Sequence, residues 1–169
     1  MTLTPRARLA LVALSVPVLV LSLAGCFNGQ QATTNVQATQ ASGDGVSGRA
    51  GNMLVNNATL VLGPAGSKSA TLIMTISNVG TADDSLERVA IAGAQGTLVP
   101  AQIPVAPNSS ASFGYVGAAH SVNTAGFETA ASVYVPVTLT FKTSGTLTLS
   151  VLTVNADGIY SGITPGPVG

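Results

Sequence analysis

Few side chains in this sequence can bind a metal ion or carry a proton in a reaction. His120 is the only histidine, Cys26 is the only cysteine, and tryptophan is absent. An imidazole binds copper or zinc, but a selective site needs further nitrogen or sulfur ligands. His120 lies in the apolar stretch GYVGAAHSVN, far from Cys26 in the sequence. It is therefore either one ligand of a metal site or a histidine with a structural role.

The acidic residues do not form an evident catalytic pair. They are Asp44, Asp83, Asp84, Glu87, Glu128 and Asp157. Most of them fall in a predicted linker or in turns, and the adjacent pair Asp83 and Asp84 is predicted to accept hydrogen bonds from turn amides. No G-x-S-x-G nucleophile motif is present. We therefore expect no enzymatic activity, and a hydrolase built around His120 is the weakest alternative.

The first 25 residues have the pattern of a secretory signal peptide. Arg6 and Arg8 precede an apolar run from Leu9 to Gly25, and no acidic residue interrupts it. A short basic region followed by an apolar segment and small residues is typical of exported proteins. A membrane-spanning helix needs about 20 apolar residues. This run is shorter and contains Pro17, so a retained transmembrane anchor is the weaker alternative.

The apolar run ends in Leu23, Ala24 and Gly25, directly before Cys26. This segment resembles the lipobox of bacterial lipoproteins. The resemblance implies cleavage before Cys26 and lipidation of its thiol with acyl chains such as palmitate. Membrane lipid would then be a partner of the chain through Cys26, because two or more acyl chains hold a protein stably on a bilayer. The expected location is the outer face of the cytoplasmic membrane.

The charge of the mature chain excludes nucleic acid as a partner. The sequence has six basic and six acidic residues. Removal of residues 1–25 takes away Arg6 and Arg8 and leaves the mature chain slightly acidic. Proteins that bind nucleic acid neutralise phosphates with clustered lysine and arginine, and such clusters are missing here. Without a second cysteine, the mature chain also cannot form an intramolecular disulfide.

Composition divides the mature chain into three parts. Residues 26–51 contain the proposed lipidated cysteine followed by Gln, Thr, Ala, Ser and Gly, which predicts a flexible tether. Residues 52–154 are predicted to form one β-sandwich domain. Residues 155–169 are rich in Gly and Pro, and we expect a loosely ordered tail.

Alternating apolar and Thr-rich segments predict β-strands throughout the domain. The clearest are Thr71–Ser77, Val133–Phe141 and Thr146–Val151, and KTSG at 142–145 predicts a hairpin between the last two. Further strands are predicted at 55–62, 86–92, 96–105 and 110–117. Pro136 lacks a backbone donor, which predicts an edge or a bulge in its strand. About seven to eight strands indicate an all-β fold, an antiparallel β-sandwich of the immunoglobulin-like kind.

Three segments of the domain carry short motifs in a fixed order. Ala70–Ile91 contains a strand followed by Asn-x-Gly-x-x-Asp-Asp-x-Leu, Gln102–Phe113 reads QIPVAPNSSASF, and Val135–Val154 reads VPVTLTFKTSGTLTLSVLTV. In this order they resemble the periplasmic copper chaperone family called PCu(A)C, over about residues 55–154. The resemblance implies a cupredoxin-like β-sandwich.

The same resemblance implies where copper ligands would lie. The family uses a His and a Met on one loop and a His-x-Met after the next strand. His120 lies where the second His is expected, but Val122 occupies the position of the second Met. Residues 92–102 contain neither a His nor a Met. Met53 or a partner chain would have to complete a site, and Met74 is expected in the core.

We therefore expect a lipoprotein anchored to the outer face of the cytoplasmic membrane. Its non-catalytic β-sandwich is expected to bind an extracytoplasmic protein partner, whose identity the sequence does not give. No cofactor is expected. The alternative is a functional copper chaperone that uses His120 with non-standard ligands.

Overall fold

The computed structural model describes residues 45–166, which form ten β-strands and one short 3₁₀ helix. The strands are β1 (Val46–Ala50), β2 (Met53–Leu62), β3 (Ser69–Asn78), β4 (Asp84–Ile91), β5 (Ala94–Val99), β6 (Ile103–Val105), β7 (Ser109–Phe113), β8 (Ser121–Ala125), β9 (Tyr134–Phe141) and β10 (Gly145–Asn155). The 3₁₀ helix covers Gly158–Tyr160. The all-β prediction is confirmed, with more strands than expected.

Seven of these strands close into a barrel. Their order is β2–β10–β9–β4–β5–β8–β3, and β3 pairs again with β2. The shorter strands β1, β6 and β7 pair with β2, β4 and β3, respectively. One pairing departs from the expected antiparallel arrangement, because the end of β10 runs parallel to β2 at Thr153–Asn155. This parallel contact joins the two sheets of the predicted sandwich along one side.

The predicted inward faces of the strands form the core. In β3, Leu72, Met74 and Ile76 are all fully buried, as the alternation in Thr71–Ser77 predicts. The corresponding side chains of β9 are Val135, Val137, Leu139 and Phe141, and all are buried. Burying such side chains contributes roughly 1.5–3 kcal/mol each relative to exposing them. The period-two pattern thus separates the two faces of β9, whereas the first six residues of β3 are buried on both faces.

The predicted edge or bulge at Pro136 is wrong. The strand β9 lies between β10 and β4, so it is an interior strand. Its pairing with β4 ends at Val137, and the carbonyl of Pro136 accepts a hydrogen bond from the Ala92 amide in the following turn. The missing N–H of Pro136 therefore falls just beyond the end of the β4 ladder, where a proline is tolerated.

The predicted hairpin between β9 and β10 is confirmed, and Asp84 binds its backbone. Phe141 pairs with Gly145 across the turn. One carboxylate oxygen of Asp84 accepts hydrogen bonds from the amides of Ser85 (2.8 Å) and Thr143 (2.9 Å). The other accepts one from the Ser144 amide (2.9 Å). The expectation that this carboxylate binds turn amides is confirmed, although two of the three belong to a turn far away in the sequence.

These contacts change the acidity of Asp84. Burial by itself would raise the pKa of this carboxyl, but the hydrogen bonds from Ser144, Thr143 and Ser85 outweigh burial and lower the pKa below its ordinary value. The carboxylate is therefore the form that the fold stabilises.

The predicted tether at 26–51 is wrong for its last residues, because β1 occupies Val46–Ala50 and pairs with β2. The composition there gives no strand signal, since Ser47, Gly48 and Arg49 carry no apolar side chain. Gly48 explains why the segment packs closely: a Cβ at this position would lie 2.6 Å from the Leu149 side chain. Strand formation here depends on contacts with β2 and β10 and not on local propensity.

The strand predicted at 96–105 is two strands, β5 and β6, which both pair with β4. The break falls at Pro100, whose missing N–H cannot continue a ladder. The strand predicted at 110–117 ends at Phe113, and the sequence analysis missed β8 at Ser121–Ala125.

The tail predicted as loosely ordered is packed against the outside of the barrel within the described residues. Ile163 is only 8% exposed and packs with Val61 of β2 and Ile73 of β3. The Ser69 hydroxyl donates to the Pro165 carbonyl at 3.4 Å. Composition alone indicated disorder, but one isoleucine and the 3₁₀ turn before it hold the segment on the sheet.

A matched pair of isoleucines tests this packing. Ile163→Ala is expected to lower the free energy of unfolding by about 2–3 kcal/mol, because it removes buried methyl groups from a small cluster. Ile159→Ala is the control, since Ile159 is 87% exposed and its loss should change stability by less than about 0.5 kcal/mol. Urea unfolding followed by circular dichroism measures both. Equal small effects would mean that the tail does not contribute to the fold.

Candidate functional site

His120 lies at the end of the loop that connects β7 to β8. Both β7 and β8 pair with β3, and residues 114–120 form an excursion between them. The two ends of the loop meet, since the Gly114 amide donates to the His120 carbonyl at 2.9 Å. Gly114 has a φ of +69°, and a Cβ there would lie 2.8 Å from the Leu72 carbonyl oxygen. A glycine is therefore needed where the loop begins.

The imidazole of His120 packs on the core residue Phe113. The two ring centroids are 5.6 Å apart and the planes are inclined by 41°. The Nδ1 atom of His120 is buried and has no hydrogen-bond partner in the described part of the chain. A buried polar atom without a partner is costly, and such atoms commonly mark a functional site or an unseen ligand. The ring of His120 thus contributes to packing, whereas its Nδ1 atom makes no hydrogen bond within the described residues.

A cleft of about 380 Å³ opens beside His120, between the 114–120 loop and the C-terminal segment. The side chains of Thr71 and Asn123 lie in its wall and are joined by a hydrogen bond of 2.6 Å. The side-chain nitrogen Nδ2 of Asn123 in turn donates to the Ser121 hydroxyl at 3.3 Å. Tyr115 also lines the cleft; burial raises the pKa of its phenol, and a hydrogen bond with Thr75 offsets part of that rise.

The structure does not bring the suggested copper ligands to His120. Met53 and Met74 are both fully buried members of the main hydrophobic core. The expectation for Met74 is confirmed, and the suggestion that Met53 completes a copper site is not supported by its position. Val122, at the position of the family's second methionine, is also fully buried in that core. No group of three or more His, Cys, Asp and Glu side chains is close enough to hold a metal ion within residues 45–166.

Other concave surfaces of the domain carry charged residues. A cleft of about 310 Å³ is lined by Lys68 and Glu128, whose side chains form an exposed ion pair at 3.3 Å. A further hollow of about 380 Å³ lies on the outside of β4 and β9 and is lined by Arg88 and threonines. An exposed ion pair of this kind contributes at most about 1 kcal/mol.

Sequence reasoning found His120 but missed the residues around it. Thr71 was predicted only as the first residue of a strand, and Asn123 and Ser121 lie in β8, which the pattern of side chains did not predict. Their proximity follows from the register in which Thr71 pairs with Asn123. The available signal was the polar alternation in SVNTA, which is too short to distinguish a strand from a loop.

The proposed lipidation site, Cys26 with Leu23, Ala24 and Gly25, lies outside the described residues. Between residues 45 and 166, no helix has the length and apolar character needed to cross a membrane.

Comparison with known proteins identifies the fold. No family model and no curated protein matches the chain. Among solved structures, the copper-bound PCuAC domain from PmoF2 superposes with a TM-score of 0.58 at 19% identity, over 64% of this chain and 97% of that domain. The apo PCuAC domain from PmoF1 superposes with a TM-score of 0.57 at 18% identity, over 64% of this chain and 98% of that domain. The predicted PCu(A)C-like, cupredoxin-like fold is therefore confirmed.

Proposed function

We propose that this protein is a lipid-anchored extracytoplasmic binding protein that has the PCuAC fold without a PCuAC copper site. Its β-barrel would act in recognition and not in catalysis. The proposal rests on one observation: the domain has the PCuAC fold, but its described residues do not provide the set of copper ligands expected for that family. Fold alone does not determine function, so the residues at the site decide.

The residues present do not fit a copper site of the kind that the fold implies. Such a site needs several soft ligands, because Cu(I) prefers thioether and thiolate sulfur together with imidazole. His120 is the single histidine, and both methionines of the described domain, Met53 and Met74, are fully buried in the core. Exposing either thioether to a metal would require core packing to be broken, at a cost of several kcal/mol.

The anchoring part of the proposal is supported by the sequence. A basic start, an apolar run and Leu23, Ala24 and Gly25 before a solitary Cys26 are the features of an exported lipoprotein. Lipidation at Cys26 would keep the domain at the outer face of the cytoplasmic membrane. The binding surface would then face partners in the extracytoplasmic space.

A second candidate is a working copper carrier that uses His120. It is favoured by one observation, the buried Nδ1 atom that has no hydrogen-bond partner in the described part of the chain. A ligand from a partner chain would have to complete the coordination, because neither thioether of the described domain is exposed.

Thermal unfolding in the presence of copper tests the proposal. A ligand that binds the folded state stabilises it by RT ln(1 + [L]/Kd), which is about 2.7 kcal/mol at a ligand concentration of 100 Kd. We expect anaerobic Cu(I) to leave the unfolding midpoint unchanged in both the wild-type chain and the His120→Ala variant. A rise of several degrees in the wild type that is absent in His120→Ala would favour the copper carrier instead.

A further inference from the structure

We propose that the cleft beside His120 binds an uncharged saccharide that carries hydroxyl or acetamido groups. This inference rests on the proposed function, because it assigns a ligand class to the binding domain. It uses the cleft between the 114–120 loop and the C-terminal segment, with a volume of about 380 Å³. Ligand sites in proteins commonly have volumes of about 300–1,000 Å³, so the cleft is at the small end of that range.

The first step is the absence of charge. None of the residues between 45 and 166 that line this cleft is Asp, Glu, Lys or Arg. The two other clefts described above contain Lys68 and Glu128 or Arg88. A cleft without a counter-charge disfavours an ionic ligand, because the ligand would lose hydration without gaining a partner. A neutral ligand meets no such penalty.

The second step is the direction of the hydrogen bonds. The Thr71 hydroxyl donates to the side-chain oxygen Oδ1 of Asn123, and the side-chain nitrogen Nδ2 of Asn123 donates to the Ser121 hydroxyl. A carboxamide has two N–H donors, and a hydroxyl that accepts a bond keeps its own hydrogen. Among the described residues, this series of hydrogen bonds therefore leaves two donors unused: the second N–H of the Asn123 side chain and the O–H of Ser121. These donors match the hydroxyl and carbonyl oxygens of a sugar.

The third step is the composition of the rim. Tyr115 and Thr164 line the cleft together with the glycines at 114, 117, 162 and 166. Gly117 and Gly166 have open space where a Cβ would lie, so the backbone is accessible there. Tyr115 packs against the cluster of Val61, Ile73 and Ile163 and also borders the cleft, and aromatic residues with a polar tip are suited to amphipathic ligands such as sugars. His120 adds a ring nitrogen that can donate or accept.

Calorimetric titration of the full chain in detergent with N,N′-diacetylchitobiose tests the proposal. We expect saturable binding that weakens about fivefold or more in Asn123→Ala, because that variant removes a preoriented donor. Ser121→Ala is a second variant with a smaller expected loss, of about two- to fivefold, and it keeps the test valid if Asn123→Ala does not fold. Asn155→Ala is the matched control, since Asn155 lines the Lys68–Glu128 cleft instead.

The outcomes separate this inference from the proposed function. Absence of binding at millimolar disaccharide, or binding that neither Asn123→Ala nor Ser121→Ala weakens, would overturn the saccharide assignment. The cationic deacetylated disaccharide is expected to bind more weakly than the neutral one, and equal affinity would contradict the argument from charge. None of these results would restore a copper site, which the thermal unfolding experiment tests on its own.

Discussion

Asp84→Asn is expected to lower the free energy of unfolding by about 2–3 kcal/mol at neutral pH. Asp84 as a residue is only 5% exposed, and its carboxylate accepts three backbone hydrogen bonds. Hydrogen bonds to a charged group contribute about 1.5–3 kcal/mol. An asparagine keeps one acceptor oxygen but turns an NH₂ group toward at least one of the backbone amides, so at least one of these N–H groups loses its acceptor. Chemical unfolding followed by circular dichroism measures the change.

The effect of Asp84 is also expected to depend on pH. Its pKa is lower in the folded protein than in the unfolded chain, where a carboxyl titrates near about 3.9. The stabilisation is therefore complete above about pH 5 and is lost as the pH falls below about 4 and through the folded pKa. We expect the difference between wild type and Asp84→Asn to shrink accordingly.

The neighbouring Asp83 provides the control for both measurements. Its side chain is exposed, so Asp83→Asn should change stability by less than about 0.5 kcal/mol at any pH. Equal losses in the two variants, or a difference that persists at pH values well below the folded pKa, would contradict the role given to Asp84.

Cys26→Ser is expected to move nearly all of the protein from the membrane fraction to the soluble fraction. Acyl chains contribute about 0.8 kcal/mol per buried CH₂, and two or more chains hold a protein stably on a bilayer. The serine hydroxyl would not be lipidated, and no other cysteine is available. Fractionation and intact mass of the purified chain measure the anchor directly.

The intact mass also decides between the two kinds of anchor. If the wild-type chain keeps residues 1–25 and carries no acyl mass, the apolar run itself is the anchor and the lipoprotein assignment is wrong. Gln30→Ser, in the segment after Cys26, is the control and should fractionate as the wild type does. A mass increase that matches acylation, present in the control and absent in Cys26→Ser, would support lipidation.

The alternation of side chains predicted the strands that carry the core, because the two faces of a long strand differ in burial. Val135, Val137, Leu139 and Phe141 illustrate this in β9, where the residues between them are exposed or half-buried. Short or polar strands were not predictable in the same way. β1 forms because Gly48 allows close packing on Leu149, and the parallel contact of β10 with β2 depends on a register that a local pattern does not contain.

The candidate site was predictable only in part, for a related reason. His120 was a candidate because it is the only histidine in the sequence, and the resemblance to the PCu(A)C motifs placed it near a ligand position. Thr71 and Asn123 are far apart in the sequence and come together through the pairing of β3 with β8. The burial of His120 Nδ1, which has no hydrogen-bond partner among the described residues, is likewise a property of the loop and its contact with Phe113.

The most direct test of the central claim is the affinity of the full chain for Cu(I), measured anaerobically in detergent against a chelator of known affinity. The wild-type chain and His120→Ala are titrated side by side, with Met53→Leu and Met74→Leu as tests for thioether ligands. We predict no binding in the wild type beyond that of His120→Ala, and no change in either methionine variant. Stoichiometric, tight binding that disappears in His120→Ala would contradict the account and would establish a copper carrier on this fold.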